Sequence, residues 1–324
     1  MQKLGRKFLK LFLLFPAWFR LGSFKWAYRL AEESFTHKEI EGLAVIHGNL
    51  VAAQTGVKLT DEIYPSLKGG LKYWSAFARY EGVDFFGMKD GHLMATVDGI
   101  RFRIDHNGSL FILDEIFAER LYDLRVNEDL VAVDVGMNVG VASLFFASLP
   151  NVKAVYGYEP LPETLGQART NFSLNPQLGS KISPVLSGIS NYRGKISVPA
   201  TVSGSAVFST DASFIEAHGM NSDKTVEVDI VHIQEVFDEV SKNYPGLRIL
   251  LKLDCEGEEY KIMDYLSEQD LMQKVSVVAL EWHVKGYEHL CNILTQHGFS
   301  VFNLGRKEID PPVGMIYAFN MNPR

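Results

Sequence analysis

Short apolar runs and helical segments alternate along the chain from Val131 to Phe319. The runs are rich in β-branched residues, whereas the segments between them repeat apolar residues every three or four positions. Alternation of this kind predicts a mostly parallel sheet with helices on both faces. The last two runs are linked through Pro311-Pro312, and so short a link suits an antiparallel hairpin rather than a helical crossover. We therefore predict a Rossmann-like α/β domain that ends in an antiparallel hairpin.

The elements of this domain can be placed from the same pattern. Strands are predicted to end at 134, 159, 186, 254, 282, 304 and 319. Helices are predicted at 139–149, 162–172, 233–240, 258–266 and 287–296. The segment 187–231 is rich in Ser, Thr and Gly and includes Ser203-Gly-Ser205. This segment is predicted to be an insertion of short strands and loops.

The first 110 residues follow a different pattern. Residues 23–79 are helical and irregular, and alternating runs follow at 83–88, 92–97 and 100–104. Asp90-Gly91 and Asp98-Gly99 separate these runs, and Asp-Gly between alternating runs is a strong hairpin signal. We predict an accessory region, 1–110, made of helices and a small β-meander. The main domain, 111–324, is then expected to open with an amphipathic helix at 113–122.

Composition and charge limit the classes of partner. The chain is 47% hydrophobic and 22% charged, which is ordinary for a globular protein, and its net charge is −7. The acidic balance argues against nucleic acid as a partner. The two cysteines, Cys255 and Cys291, have no spacing that suggests a zinc site or a disulfide framework. Cysteine usage of this kind is typical of a reducing compartment, so we expect a cytoplasmic protein.

The first 30 residues depart from this acidic balance. They hold seven basic side chains and no acidic residue precedes Glu32. The apolar run from Leu11 to Phe19 is far shorter than the roughly 20 residues that span a bilayer. Two interpretations remain: an amphipathic helix in peripheral contact with the inner membrane face, or a helix packed on its own domain.

A strand–turn–helix–strand motif carries the first indication of chemistry. The run from Val131 ends in Asp134, turns on Gly136 and Gly140 and enters a helix, and the next strand ends in Glu159. Glycines let the backbone approach a ligand, and an acid on the second strand can accept bonds from two ribose hydroxyls. The spacing lacks the G-x-G-x-x-G pyrophosphate cradle. It therefore favours S-adenosylmethionine over NAD as the ligand.

The predicted cofactor-binding residues are Asp134, Gly136, Asn138, Gly140, Glu159, Ser187 and Asp254. Asn138 tolerates a strained turn and can bond to the backbone or to the amino-acid end of the cofactor. Adenine is expected near the end of the third strand. Because no acid lies there, Ser187 or a backbone carbonyl would contact its amine. The alternative role for Asp134 is that of a turn acid or a helix cap.

The predicted catalytic residues are Lys252, Asp254, Glu256 and His283. Lys252 and Asp254 alternate with leucines and point to one face, either as a structural ion pair or as groups that orient the substrate and take its proton. His283 has an ordinary pKa near neutrality, which suits a general base. Asp254, Glu281 and His283 could also bind a divalent metal. We do not favour a metal site, because carboxylate clusters at strand ends are common without one.

Several of these motifs together resemble the FkbM family of S-adenosylmethionine-dependent methyltransferases. The matching segments are Asp134-Val-Gly-Met-Asn-Val-Gly140, Glu159-Pro160, Leu251-Lys-Leu-Asp-Cys-Glu-Gly-Glu-Glu259 and Leu280-Glu-Trp-His283. Met137 and Cys255 depart from the residues that the family usually has at these positions. The resemblance implies a methyltransferase fold, S-adenosylmethionine as cofactor, and a hydroxyl oxygen of a sugar, glycan or secondary metabolite as methyl acceptor.

Two other classes of function remain as alternatives. One is an NAD-dependent oxidoreductase, which the missing phosphate cradle disfavours. The other is a non-catalytic scaffold that uses a methyltransferase fold to bind a partner or a membrane through residues 1–110. Cofactor binding without turnover would favour this second alternative.

Overall fold

The computed structural model describes residues 2–199, 225–306 and 312–321. The chain forms two compact units, Met1–Leu121 and Tyr122–Arg324. No helix in the described part of the chain is long and apolar enough to cross a membrane.

The first unit combines helices with two small antiparallel sheets. Its helices are α1 (Gln2–Leu21), α2 (Phe24–Glu32), α3 (His37–Ile40), α4 (Leu71–Phe77) and α5 (Asn107–Leu113). One sheet contains β1 (Leu43–Ile46), β2 (Asn49–Ala52) and β3 (Lys58–Leu59), and the other contains β4 (Val83–Lys89), β5 (His92–Val97) and β6 (Ile100–Arg103). The predicted meander corresponds to the second sheet. Asp90 and Asp98 have φ angles of 51° and 48° in its two-residue turns, as Asp-Gly hairpin turns require.

Two predictions for residues that lie in the first unit were wrong. The sheet β1–β2–β3 lies within residues 23–79, for which the sequence indicated only helices and irregular structure. Its strands have two to four residues, which is too short for an alternating pattern to be recognised. The helix predicted at 113–122 is also displaced. α5 ends at Leu113 and a π-helical turn occupies Asp114–Ala118, so the apolar face continues with a different period.

The second unit is built on a seven-stranded sheet. Its strands are β7 (Leu130–Val135), β8 (Val152–Glu159), β9 (Ile182–Leu186), β13 (Arg248–Leu253), β14 (Val275–His283), β15 (Phe299–Arg306) and β16 (Val313–Asn320), in the spatial order β15-β16-β14-β13-β7-β8-β9. Its helices are α6 (Val141–Ser148), α7 (Pro162–Leu174), α8 (Pro176–Gly179), α9 (Ile233–Asn243), α10 (Glu259–Glu268) and α11 (Glu288–Gln296).

The pairing of these strands confirms the predicted architecture. β7, β8, β9, β13 and β14 pair in parallel, whereas β16 pairs antiparallel with both β14 and β15. From β7 the chain continues to β8 and β9 on one side of the sheet, and from β13 it continues to β14 on the other side. Right-handed crossovers therefore place the connecting helices of the two halves on opposite faces of the sheet. The strand order thus reverses between β7 and β13. Ligands bind to open α/β sheets at the carboxyl ends of the strands beside such a switch point.

Burial on both faces explains why the central strands are so apolar. All six residues of β7 and all six of β13 are buried. Only Asp134 in β7 and Arg248 and Lys252 in β13 are charged. Strands covered by helices on both sides are expected to have continuous apolar runs. The buried charges therefore stand out as groups that need partners.

The predicted insertion contains a second, smaller sheet. β10 (Gly188–Ser190), β11 (Gly194–Pro199) and β12 (Thr225–His232) are arranged in the order β10-β12-β11. β12 pairs in parallel with β10 and antiparallel with β11. Ser203-Gly-Ser205 lies outside the described residues, as does most of the link around Pro311.

Candidate active site

The glycine-containing turn connects the end of β7 to α6 and is held against β8. The backbone N–H groups of Gly136 and Met137 donate to the carbonyl oxygen of Tyr158 at 3.1 and 2.9 Å. Gly140 N–H donates to the Met137 carbonyl at 3.0 Å, which closes the turn before the helix begins. The turn therefore lies at the switch point, directly beside the carboxyl end of β8.

Glu159 is the acid that faces this turn. Its Oε2 accepts a hydrogen bond from Asn138 N–H and its Oε1 accepts one from Leu161 N–H, both at 3.0 Å. Burial raises the pKa of Glu159 to about 7, although the two N–H bonds favour the ionised form. The carboxylate is thus fixed by backbone groups and titrates close to neutral pH.

Two glycines and an asparagine in the turn have left-handed backbone conformations. The φ angles are 77° at Gly136, 80° at Gly140 and 54° at Asn138. A Cβ on Gly136 would lie 1.8 Å from the carbonyl oxygen of Asp254, and one on Gly140 would lie 2.5 Å from the Phe172 ring. Both glycines are therefore required by the packing of the protein itself. Asn138 stabilises its own conformation, because its Oδ1 accepts a bond from Val139 N–H at 2.7 Å.

Asp134 and Lys252 form a buried ion pair between β7 and β13. Lys252 Nζ lies 3.1 Å from Asp134 Oδ1, an ionic contact without directed hydrogen-bond geometry, and 3.6 Å from Asp254 Oδ2. The ammonium also donates to the carbonyl oxygens of Val135 and Gly136 at 3.3 and 2.5 Å. Burial opposes the charged form, but the carboxylates of Asp134 and Asp254 raise the pKa of Lys252 above its ordinary value. This pair fixes the start of the turn.

Ser143 completes the environment of Asp134. Its hydroxyl donates to Asp134 Oδ2 at 2.6 Å, and both side chains are buried. Ser143 was not among the predicted site residues, because a serine inside an apolar helix gives no pattern that points to its partner. The only available signal is that a buried hydroxyl needs a hydrogen-bond partner.

A second group of side chains lies at the ends of β13 and β14. We call Asp254, Glu256 and His283 the carboxylate–histidine cluster. One ligand atom from each of the three side chains lies within 4.8 Å of the other two. His283 Nε2 is 3.3 Å from Glu256 Oε2 and 4.0 Å from Glu281 Oε2. The structure thus brings together three predicted catalytic residues, and Lys252 connects them to the turn through Asp254.

Glu259 holds the histidine of this cluster in place. Its carboxylate is fully buried, and its Oε1 lies 3.1 Å from both the backbone nitrogen and the ring Nδ1 of His283. Its Oε2 accepts a bond from Gly257 N–H at 2.7 Å. Tyr260 adds a hydroxyl bond of 2.8 Å to the carbonyl of His283. The sequence indicated Glu259 only as a position in one of the matching segments, because its partner His283 lies at the end of β14, far along the chain.

The charges around His283 change its protonation. Burial lowers the pKa of this imidazole, but the hydrogen bond to Glu259 and the charges of Glu259, Glu256 and Glu281 together raise it above its ordinary value. Burial also raises the pKa of Glu256. The pair therefore retains a proton at neutral pH. The prediction that His283 acts as a base rested on an ordinary pKa, and that premise does not hold in this structure.

Ser187 lies next to Glu159 through the backbone rather than through its side chain. Its N–H donates to the carbonyl of Glu159 at 3.1 Å. Its buried hydroxyl lies 2.8 and 2.9 Å from the carbonyl oxygens of Gly188 and Asp229. These contacts connect the main sheet to the insertion, and the role of Ser187 in adenine binding stays a prediction.

The fold is that of a methyltransferase. It combines a mostly parallel seven-stranded sheet, in which only β16 is reversed, with a glycine turn after β7 and an acid at the end of β8. The model of the methyltransferase FkbM domain matches residues 134–301, more than half of the chain. The chain therefore belongs to the FkbM family of methyltransferases. The match begins at Asp134, at the start of the turn, and includes the carboxylate–histidine cluster.

Two curated proteins are similar to this chain. Methyltransferase 1 of Beauveria bassiana (strain ARSEF 2860) is 26% identical over 182 residues, which cover 52% of this chain and 72% of that protein. Methyltransferase sdnD of Sordaria araneosa is 26% identical over 214 residues, which cover 59% of this chain and 82% of that protein.

Among solved structures, the methyltransferase FkbM from Methylobacillus flagellatus KT aligns with a TM-score of 0.41 and 15% identity. The alignment covers 61% of this chain and 45% of that one, so this chain spans less than half of that protein.

Proposed function

We propose that this protein transfers the methyl group of S-adenosylmethionine to a hydroxyl oxygen of a sugar, glycan or secondary metabolite. The observation that carries the proposal is the position of Glu159, beside the glycine turn and at the same sheet edge as the carboxylate–histidine cluster. A carboxylate has about four acceptor positions. Among the described residues, two N–H groups use one position on each oxygen of Glu159. The remaining positions suit the two ribose hydroxyls of a nucleoside.

The charge of the site also suits this cofactor. Three carboxylates, those of Glu256, Glu259 and Glu281, lie within 4.0 Å of the His283 ring. Asp254 adds a fourth carboxylate, which also contacts the ammonium group of Lys252. An excess of negative charge in a partly buried site favours a cationic ligand, and the methyl donor is a sulfonium.

The reaction would need little beyond positioning and proton removal. The acceptor oxygen attacks the methyl carbon while the carbon–sulfur bond breaks, and the electron pair stays on sulfur to leave S-adenosylhomocysteine. The hydroxyl proton passes to a carboxylate of the cluster. Asp254 is the best placed, because its side chain is 30% exposed whereas Glu256 and His283 are held together. Lys252 and Glu259 would act as positioning residues.

Calorimetric titration with S-adenosylhomocysteine tests the cofactor assignment. We expect wild-type protein to bind the product, and Glu159→Gln to bind it at least about tenfold more weakly because an amide cannot accept both hydroxyl bonds. Glu163→Gln is the matched control, since Glu163 lies exposed in the first turn of α7. Equal affinity in all three proteins would contradict the assignment of Glu159.

Transfer of labelled methyl groups tests the reaction. Acceptors with free hydroxyls are compared with the matching amines, and Asp254→Asn is compared with wild type. Label on oxygen, lost in the variant, is the expected result. Label on nitrogen would contradict the oxygen preference, and cofactor binding without transfer to any acceptor would favour the non-catalytic scaffold.

A further inference from the structure

The carboxylate–histidine cluster has the composition of a cation site. Carboxylate oxygens and an imidazole nitrogen are ligands that Mn²⁺ and Zn²⁺ accept together. Adjacent ligands of a small divalent ion lie about 3 Å apart. Glu256 Oε2 and His283 Nε2 are already 3.3 Å apart, and Asp254 places an oxygen within 4.8 Å of a ligand atom of each residue. Small side-chain movements would bring all three onto one ion.

The surroundings of His283 are an independent observation that points to a ligand. Metal-binding histidines commonly use their second ring nitrogen to contact a carboxylate, which fixes the ring orientation. Here Glu259 lies 3.1 Å from Nδ1 and also binds the backbone of the same residue. The ring is therefore held with Nε2 directed at Glu256 and Glu281. Glu281, 4.0 Å away, offers a further oxygen.

We propose that Asp254, Glu256 and His283 bind one divalent cation, with Glu259 as the positioning residue for His283. The sequence alone did not favour a metal, because carboxylate clusters at strand ends are common without one, and it named Glu281 rather than Glu256 as the third ligand. The catalytic role of this cation rests on the proposed function. A cation there would take the place of the proton shared by His283 and Glu256, bind the acceptor hydroxyl and lower its pKa. Asp254 would then be a ligand, and Glu281, 4.0 Å from His283 Nε2, would remove the hydroxyl proton in its place.

Titration of the EDTA-treated full-length protein with Mn²⁺, followed by electron paramagnetic resonance, tests this site without any turnover. We expect one bound ion per chain, with affinity lowered at least about tenfold in Asp254→Asn and in Glu259→Gln. Asp254→Asn is nearly isosteric at a half-buried position, and circular dichroism checks that each variant is folded. A coordinated imidazole should also appear as nitrogen modulation of the electron spin echo, and His283→Gln should abolish it.

The matched control is His289→Gln. His289 pairs with Asp264 on the protein surface, at 2.5 Å, and this pair is not part of the cluster. Its variant should bind Mn²⁺ like wild type. No stoichiometric binding in wild type, or equal binding in wild type and Asp254→Asn, would overturn the proposal. Methyl transfer undiminished in EDTA would overturn the catalytic use of the cation and leave the proposed function intact. Mn²⁺ binding without S-adenosylhomocysteine binding would leave the cation site intact and contradict the proposed function.

A separate surface of the first unit carries a second inference. Leu14, Ala17 and Leu21 of α1 are buried, so this face packs on the unit itself. Large aromatic side chains on the other faces of α1 and on α2 remain exposed, with Phe12 at 80% and Phe19 at 84%. We call this set the aromatic patch; it consists of Phe12, Phe15, Trp18, Phe19, Phe24 and Tyr28. Four of its members form a continuous group of rings: the ring centroid of Trp18 lies 5.9 Å from that of Phe19 and 5.7 Å from that of Phe24, and Phe24 lies 6.5 Å from Tyr28.

The charge of the surrounding sequence identifies the partner. Lys3, Arg6, Lys7, Lys10 and Arg20 lie on the same helix, and no acidic residue precedes Glu32. Exposed aromatic rings on a basic amphipathic helix insert at the depth of lipid head groups, and basic side chains are attracted to anionic lipids. We infer that the aromatic patch binds the surface of an anionic bilayer. The helix then lies in the interface, consistent with the absence of any spanning helix in the described chain.

Co-sedimentation of the full-length protein with vesicles tests this inference. Phosphatidylcholine vesicles with and without phosphatidylglycerol are compared at low and high salt. We expect binding to the anionic vesicles, weakened by salt, and lost in the triple variant Phe12→Ser, Phe15→Ser, Phe19→Ser. Phe302→Ser, which changes an exposed aromatic residue of β15, is the control and should bind like wild type. Wild-type protein that stays in the supernatant would overturn the inference. So would self-association that the triple variant abolishes without any vesicle binding.

Discussion

At the scale of single residues, close packing within the protein explains why the turn contains glycine, which the sequence analysis attributed to the approach of a ligand. Gly136 has no room for a side chain because the Asp254 carbonyl passes directly over it. Met137 departs from the usual residue of the family, but its buried side chain lies over Gly157, where a Cβ would come within 2.3 Å of the sulfur. The larger residue is thus accommodated by a glycine on the neighbouring strand.

Replacing Gly136 with alanine should therefore destabilise the fold strongly. The new Cβ would meet the Asp254 carbonyl oxygen at 1.8 Å, and a φ of 77° adds roughly 1–2 kcal/mol of strain for any L-residue. We expect a loss of more than about 3 kcal/mol in the free energy of unfolding, measured by urea denaturation. Gly166→Ala is the control, because this exposed glycine of α7 has open space around it. It should stabilise the protein by about 0.5–1 kcal/mol. Equal effects would contradict the close-packing argument.

The pKa of Glu159 leads to a prediction for cofactor binding. Burial raises this pKa to about 7, so the acid is mainly protonated below pH 7 and ionised above it. Ribose hydroxyls donate to the ionised form. Affinity for S-adenosylhomocysteine should therefore be full near pH 8 and about tenfold weaker at pH 6. Calorimetry at both pH values measures this change, and Glu159→Gln should remove the difference between them. An affinity that rises on acidification would contradict the role of the carboxylate.

At the scale of elements, a buried ion pair joins β7 to β13. Asp134 and Lys252 are paired in register on adjacent strands and are almost fully buried. Removal of one partner leaves a buried charge without compensation, which costs far more than the pair itself contributes. The pair therefore makes the register of these two strands specific, since a slip by one residue would separate the charges.

Lys252→Met should lower the free energy of unfolding by about 3–5 kcal/mol, because Asp134 would lose its buried counter-ion. The control is Lys153→Met on β8, where Lys153 pairs with Asp129 at 2.8 Å in an exposed position. Exposed pairs contribute about 0–1 kcal/mol, so little change is expected. Adding Asp134→Asn to Lys252→Met should recover part of the loss, and the double-mutant cycle measures the coupling. Additive losses would show that the two charges do not depend on each other.

At the scale of the whole molecule, every predicted site residue lies in the second compact unit, Tyr122–Arg324. The sequence placed the boundary between residues 110 and 111, whereas the compact units divide between Leu121 and Tyr122. Residues 122–324 expressed alone should fold and bind S-adenosylhomocysteine within about threefold of the full chain. Calorimetry and circular dichroism measure both properties. Loss of folding in the isolated unit would show that it does not fold independently of the first unit.

The sequence predicted the fold of the second unit well because its elements have strong periods. β13 and β14 are buried and mostly apolar strands, and α9 places Ile233, Val236, Phe237 and Val240 on one buried face. Such patterns arise from local burial and can be read without knowledge of tertiary contacts. The strands β1, β2 and β3 have only two to four residues, too few to show an alternating pattern, so the sequence did not predict them.

What the sequence determined by itself is the class of fold, the glycine turn and the set of charged residues at the carboxyl ends of the strands. Side-chain period and turn chemistry are local properties, so they are written in consecutive residues. Tertiary structure alone decided which charges meet. It joined Lys252 to Asp134, gave Ser143 and Glu259 their partners, and placed Glu256 rather than Glu281 nearest to His283. Protonation followed from those contacts, because burial and neighbouring charges, and not residue type, set the pKa values in a buried site.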